Sequence, residues 1–172
     1  MEGMVTKRFF LVLIFLGMPC IALNPPALLS FSAGAFDVLR SRHRTWEFSL
    51  EYQLQYTSSY RTLNFRPTFG FMLTAQTSSY LYAGINFDLT FHDFVVSPGF
   101  AAGWYRHGHG KDLGFPLEFR SCLECAWQWQ DWRRLGVRLS HLSNASIGRR
   151  NPGEESLVLF YSIPIRKGFP FK

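Results

Sequence analysis

Hydrophobic and polar positions alternate with a period of two over most of the chain after its first two dozen residues. In residues 45–56 every even position is apolar or aromatic and every odd position is polar or charged. Residues 117–130 repeat this pattern, with Ser121 as the one polar residue on the apolar face. An amphipathic helix would instead repeat its apolar positions every three to four residues, so both segments are predicted to be β-strands.

Six further segments carry the same rhythm, which brings the predicted total to eight strands, most of them about 10 to 14 residues long. Strands of globular proteins average about 5 to 6 residues, whereas a tilted strand needs about 10 to cross a bilayer. Eight is also the smallest even strand number of an outer-membrane barrel. The pattern therefore predicts an all-β protein with an eight-stranded antiparallel transmembrane β-barrel. The six segments are residues 29–39, 63–75, 81–89, 96–105, 134–143 and 157–165.

A soluble lipocalin-like barrel, with the apolar face turned inward around a ligand, is the alternative fold. The polar face is rich in Glu, Arg, Asn and Gln, which can form an ion-paired interior in a barrel just wide enough for side chains. Composition agrees with the membrane alternative, since 17% of the residues are aromatic and only 17% are charged. Soluble domains carry about 25% charged residues. The combination favours charges inside the barrel and rings outside it.

The N-terminus has the features of a secretory signal peptide. Lys7 and Arg8 precede an apolar run that is shorter than the roughly 20 residues of a transmembrane helix. We expect a signal at residues 1–22 and one barrel domain at residues 23–172, with a lipoprotein cysteine at Cys20 as the alternative. The formal net charge of +6 would suit nucleic acid, but export to the outer membrane favours anionic lipid headgroups as the partner instead.

The predicted turns give the barrel a direction. With both termini in the periplasm, the loops around residues 106–114 and 145–153 lie on the outside, which is the side where outer-membrane barrels carry their longer loops. Aromatic girdles are then expected at both membrane interfaces. The inner girdle would contain Trp127 and Trp129, and the outer girdle Trp46, Trp104 and Tyr105.

Two short motifs raise the question of a metal site. Cys122 and Cys125 form a C-x-x-C pair, but residues three apart on a strand point to opposite faces, so one metal cannot join both sulfurs. His107 and His109 lie in a glycine-rich loop without a third ligand in register. We therefore expect neither a metal nor another cofactor.

Three polar residues occupy strand positions whose parity is apolar elsewhere. His141 and Ser143 continue the outward set of the seventh strand, and Glu155 continues that of the eighth. Residues two apart project from one side, about 6.5 to 7 Å apart at the backbone, and a residue on the neighbouring strand comes within about 5 to 8 Å. Serine needs a base to become a nucleophile, and that base needs a third group to orient it. The pattern is thus typical of a Ser-His-Glu triad, although polar residues that merely cap a strand at the wet interface would look similar.

The segment around these residues resembles the lipid A 3-O-deacylase (PagL-type) family. His141-Leu142-Ser143-Asn144-Ala145 matches H-x-S-N-A, and Asn151-Pro152-Gly153-Glu154-Glu155 matches a downstream N-P-G-x-E. The resemblance implies an outer-membrane barrel with Ser143 as nucleophile, His141 as base and Glu155 as orienting acid. It also implies that Asn151 and Asn144 position the substrate or the oxyanion, of which Asn151 is the better candidate.

The resemblance further implies a substrate, lipid A of lipopolysaccharide in the outer leaflet, whose ester reaches Ser143 sideways from the bilayer. Its acyl chains would lie along an outward leucine wall on the last two strands. Arg149 and Arg150 lie in the loop beside the proposed site, where they would either dock phosphate groups of the substrate or form an ordinary charged loop. A structural or adhesive barrel without catalysis is the alternative function. The wall would contain Leu135, Val137, Leu139, Leu157 and Leu159.

Overall fold

A computed structural model describes residues 25–54, 59–60 and 63–165 of the chain. It contains eight long strands and one two-residue strand, together with a short 3-10 turn at Ser41–His43. The strands are β1 (Ala27–Phe36), β2 (Thr45–Gln53), β3 (Ser59–Tyr60), β4 (Leu63–Thr74), β5 (Ser79–Phe91), β6 (Phe94–Arg106), β7 (Leu117–Gln128), β8 (Arg134–Ser143) and β9 (Glu154–Ile165).

The eight long strands close into one antiparallel barrel. Neighbours in sequence pair with each other, β1 pairs with β9, and β2 pairs with β4, so each long strand has a partner on both sides. The short β3 pairs only with the beginning of β4. This architecture confirms the predicted eight-stranded barrel, and within the described residues closure pairs both edges of every long strand.

Alternation along each strand separates an apolar exterior from a polar interior. On β2 the side chains of Trp46, Phe48 and Leu50 are exposed, whereas Glu51 and Gln53 are each only 1% exposed. Successive residues of a strand point to opposite faces, so this division follows directly from the sequence pattern. The exterior of the barrel is therefore a belt of aromatic and aliphatic side chains.

Ion pairs occur at several levels of the interior, including one between Lys111 and Asp37 beside the β1–β2 connection. In the middle of the barrel Glu51 accepts a hydrogen bond from Arg120 Nη2 at 2.8 Å and lies 3.2 Å from Arg138 Nη2. Nearer the termini, Asp88 Oδ2 lies 2.7 Å from both Arg66 Nε and Arg134 Nη2. Buried charges persist when they are paired and hydrogen-bonded, and these pairs share the interior with a buried apolar cluster that includes Phe36, Met72 and Leu142.

The two ends of the barrel differ in their connections. One end carries the segments 37–44, 75–78, 107–116 and 144–153, and the other carries the termini of the described chain and tight turns such as His92–Asp93. The loops around residues 106–114 and 145–153 thus lie at the same end of the barrel, the loop end. The predicted signal peptide lies outside the described residues.

The aromatic girdles agree with the prediction except at one residue. Trp46 and Trp104 are exposed near the loop end, and Trp127 and Trp129 are exposed near the termini. Tyr105, in contrast, is buried and donates its hydroxyl proton to the backbone oxygen of Lys111 at 2.8 Å. Its placement in the outer girdle was wrong because adjacent residues of a strand cannot share a face.

Parity also separates the two cysteines of β7. Cys122 is buried inside the barrel, while Cys125 is exposed on its exterior. Within the ranges that the structure describes, no group of three or more His, Cys, Asp or Glu residues is arranged to hold a metal ion. No helix among those residues has the length and apolar character needed to cross a membrane.

Candidate active site

His141 and Glu155 face each other across the pairing of β8 with β9. They are direct partners in the antiparallel register, and His141 Nδ1 lies 3.2 Å from Glu155 Oε1. The histidine side chain is 45% exposed and that of the glutamate 21%. The tautomer that carries its proton on Nδ1 can donate to this carboxylate and leaves Nε2 able to accept a proton.

Ser143 is the last residue of β8 and shares the outward face of His141. It pairs with Phe119 of β7 and is half-buried. An outward groove of about 300 Å³ opens beside it. The groove is lined by Phe100, Phe119, Ser121, His141, Ser143 and Ala145.

The predicted nucleophile and base therefore border one cavity on the exterior of the barrel. The groove extends across β6 and β7, with Phe100 and Phe119 stacked at a centroid distance of 6.0 Å. It lies toward β7 from His141 and Ser143, whereas the exposed leucine wall continues along β8 and β9 from His141 and Glu155 toward the termini. Sequence reasoning missed this groove. The signal that could have found it is Ser121, the one polar residue on the apolar face of residues 117–130.

The two asparagines of the motif differ in their surroundings. Asn144 is fully buried, and its Nδ2 donates to the backbone oxygens of Leu113 and Arg150 at 2.9 and 2.7 Å. Its backbone N–H donates to Asn151 Oδ1 at 3.0 Å. Asn151 is exposed, and this contact leaves its amide N–H groups available. Asn144 thus anchors the loop, and Asn151 is the better placed of the two to donate to a substrate.

Gly153 packs directly over the imidazole of His141. Its backbone adopts a φ of +58°, and a Cβ atom added there would lie 2.9 Å from His141 Cε1. Side chains other than that of glycine rarely adopt such a φ. The glycine of the N-P-G motif therefore lets the β8–β9 loop close against the ring.

Of the two loop arginines, Arg150 lines a wide pocket of about 690 Å³ at the loop end, and Arg149 does not. Arg150 Nη2 lies 2.6 Å from Asp112 Oδ2. The backbone N–H of Gly114 and the Arg150 guanidinium hold the pKa of Asp112 below its ordinary value, so this pair is ionised at neutral pH. The pocket is lined by Arg42, His43, Gly110, Lys111, Asp112, Arg150, Asn151 and Pro152.

The histidines of the β6–β7 loop take no part in this site. His109 Nδ1 lies 3.1 Å from Thr77 Oγ1, so its contact is to the β4–β5 turn.

Comparison with known proteins relates the chain to one family. The family model described as lipid A 3-O-deacylase (PagL) matches residues 33–164. A curated relative, the lipid A deacylase PagL of Pseudomonas aeruginosa, is 38% identical over 55 residues, which is 32% of this chain and about a third of the relative's length. The crystal structure of the outer membrane enzyme PagL superposes with a TM-score of 0.63 at 21% identity and covers 80% of this chain and 99% of that chain. This structural likeness shows the barrel fold.

Proposed function

This chain belongs to the lipid A 3-O-deacylase (PagL) family, and from that premise we propose that it is an ester hydrolase of the outer membrane that removes the 3-O-linked acyl chain of lipid A. The observation that carries the proposal is the pairing of His141 Nδ1 with Glu155 Oε1 at 3.2 Å on the outward face, beside a groove that Ser143 borders. A polar group facing hydrocarbon is unfavourable by several kcal/mol unless it is compensated. Two such groups, His141 and Ser143, line one groove, and Glu155 contacts the first of them, which favours a catalytic role.

The proposed location follows from the exterior of the barrel. Exposed rings and aliphatic side chains surround it, and the two ends carry tryptophans, as expected for a protein that spans a bilayer. Export through a signal peptide at residues 1–22, followed by the barrel domain at 23–172, is part of this proposal.

The proposed reaction begins when Ser143 Oγ attacks the ester carbonyl while His141 Nε2 takes the serine proton. Glu155 holds the Nδ1 proton and stabilises the imidazolium that forms. Charge then develops on the carbonyl oxygen, where the exposed amide of Asn151 can donate a hydrogen bond. His141 gives the proton to the sugar oxygen as the ester C–O bond breaks. The acyl chain then remains bound to Ser143 Oγ as an ester. Water, deprotonated by His141, hydrolyses this ester and releases the fatty acid.

The outward position of the triad fits a substrate that never leaves the membrane. Lipid A diffusing in the outer leaflet would bring its ester to Ser143 from the side, with the acyl chain in the groove of Phe100, Phe119 and Ser121. Its phosphates would lie toward the basic pocket at the loop end, where Arg150 is the stronger candidate contact. Arg149 is retained as a second, more peripheral contact.

Mass spectrometry of lipid A from cells with and without the protein tests the proposal. Wild-type protein should remove one hydroxyacyl group, and Ser143→Ala should abolish that change while the barrel still inserts. Full deacylation by Ser143→Ala would contradict the assignment of the nucleophile. Unchanged lipid A in wild-type cells would instead favour the alternative of a non-catalytic structural barrel.

A further inference from the structure

We propose that Arg40, in the loop between β1 and β2, is a positioning residue that holds Glu155 in place for His141. The inference rests on the proposed function, because it assigns a role in the same triad. Arg40 lies more than 100 residues before the His-x-Ser and N-P-G-x-E motifs in sequence, and it reaches the site because the barrel closes by pairing β1 with β9.

The guanidinium of Arg40 faces the side of Glu155 that His141 does not use. Arg40 Nη1 lies 3.5 Å from Glu155 Oε2, while Oε1 of the same carboxylate faces His141 Nδ1 at 3.2 Å. Oε2 is buried and has no hydrogen-bond partner among the described residues. The ion pair with Arg40 is therefore the interaction that compensates for the burial of this charged oxygen.

Arg40 is itself held by two other contacts. Its Nη1 donates to Asp37 Oδ1 at 3.3 Å and to the backbone oxygen of Gly153 at 3.2 Å. Asp37 is fully buried, and its Oδ1 also accepts from Lys111 Nζ at 2.6 Å. One guanidinium thus joins the β1–β2 loop, the residue that packs over the His141 ring, and the carboxylate that orients the ring.

A backbone contact supports the same arrangement. The N–H of Val38 donates to the backbone oxygen of Glu155 at 2.8 Å, which continues the β1–β9 pairing one step into the loop. The main chain of Glu155 is therefore fixed by the loop, and its carboxylate by Arg40. Without the guanidinium, Oε2 would be buried unpaired, and the side chain would rotate toward water and away from Nδ1.

A competing role for Arg40 is direct docking of a substrate phosphate, since its side chain is 48% exposed. The two roles predict different kinetics. A docking residue contributes to substrate binding and changes KM, whereas a residue that positions the triad changes kcat with little change in KM.

The test compares Arg40→Gln with Arg44→Gln in the full-length protein folded in detergent, with folding checked by heat-modifiable gel migration. Arg44 lies in the same loop and donates to the backbone oxygen of Val38 at 2.6 Å, so it controls for loop disturbance. We expect Arg40→Gln to lower kcat on lipid A by roughly tenfold to hundredfold, the scale reached when a catalytic group is misplaced by about 1 Å. KM should stay within about twofold, and Arg44→Gln should match wild type.

Two further measurements isolate the action through Glu155. Arg40→Ala should regain part of its kcat when guanidinium or methylguanidinium is added, and Arg40→Lys should be intermediate because an ammonium cannot reproduce the planar fork. In a Glu155→Ala background, Arg40→Gln should cause no further loss, since the group it positions is absent.

Labelling of Ser143 by an uncharged serine-directed phosphonate separates the two proposals. Slower labelling of Arg40→Gln than of wild type supports the role of Arg40, even if lipid A is not hydrolysed. Failure to hydrolyse lipid A would overturn only the proposal that lipid A is the substrate. The role of Arg40 is overturned if Arg40→Gln and wild type are labelled equally fast. It is also overturned if Arg40→Gln lowers kcat further in the Glu155→Ala background, or if its effect is mainly on KM. A wild-type chain that is never labelled overturns both.

Discussion

Two adjacent glutamates, Glu154 and Glu155, face opposite sides of the barrel wall. Glu154 is fully buried in the interior, where its Oε2 accepts hydrogen bonds from Ser156 Oγ at 3.0 Å and the Asp37 N–H at 3.3 Å. Glu155 points outward to His141. Only the outward residue can orient a base that faces lipid, so the one-residue offset makes Glu155 the candidate carboxylate of the proposed triad.

Gly153 provides a prediction at the same scale. Gly153→Ala should lower kcat because its Cβ would press on His141 Cε1 from 2.9 Å, and because the φ of +58° is unfavourable by about 1–2 kcal/mol for an L-residue. Steady-state hydrolysis of lipid A measures the effect. Gly148→Ala in the same loop is the control, since its steric conflict is with Phe115 and not with His141. Equal rates for Gly153→Ala and wild type would show that the ring tolerates displacement.

At the scale of elements, the strands on the two sides of the proposed triad differ, and this difference bears on where an acyl chain would bind. The β7 side offers a groove next to Ser143 where Ser121, the direct partner of His141, leaves room for a substrate. On the β9 side Leu157 pairs with Leu139 and fills the wall. We therefore expect the chain to be bound across β6 and β7 rather than along the leucine wall.

Tryptophan substitutions at one outward position of β7 and one of β9 test this arrangement. Ser121→Trp should fill the groove and reduce kcat/KM for long-chain esters by about tenfold or more, a scale that the loss of a few methylene contacts can reach. Short acetyl esters should be affected much less. Leu157→Trp is the matched outward variant on β9 and should leave both substrates near wild type. A larger loss from Leu157→Trp would return the acyl chain to the leucine wall.

At the scale of the whole molecule, the interior of the barrel combines a network of buried ion pairs with a buried apolar cluster that includes Phe36, Tyr80 and Leu142. Glu51 is its central acceptor and contacts Arg120, Arg138 and the Tyr82 hydroxyl, the last at 2.8 Å. Replacing one member of such a network leaves the others buried without compensation. The interior is thus expected to set the free energy of unfolding, while the outer face determines where the barrel resides.

Unfolding in urea in the presence of lipid vesicles, followed by tryptophan fluorescence, tests this expectation. Glu51→Ala should lower the free energy of unfolding by roughly 3–5 kcal/mol, as in other buried pairs that lose one partner. Removal of the exposed Asp131–Arg133 pair by Arg133→Ala should change it by less than about 1 kcal/mol. Similar values for the two variants would mean that water penetrates the interior and solvates its charges.

The sequence by itself determined the number of strands, the division into an apolar exterior and a polar interior, and the shared outward face of His141, Ser143 and Glu155. All three follow from the period of two, which is a local property of extended backbone. Parity also places Tyr105 inside the barrel. The prediction that Tyr105 belongs to the outer girdle was wrong because it relied on the aromatic character of the residue and not on its parity.

Closure of the barrel decided what alternation does not encode. The pairing of β1 with β9 brings Arg40 to Glu155, and the fold of the β8–β9 loop buries Asn144 and turns Gly153 onto His141. The packing of β6 against β7 places the groove on the β7 side of Ser143. These contacts join residues far apart in sequence. They depend on the conformation of the loops and on the size of the side chains at each contact. A pattern that repeats every two residues carries no information about such contacts.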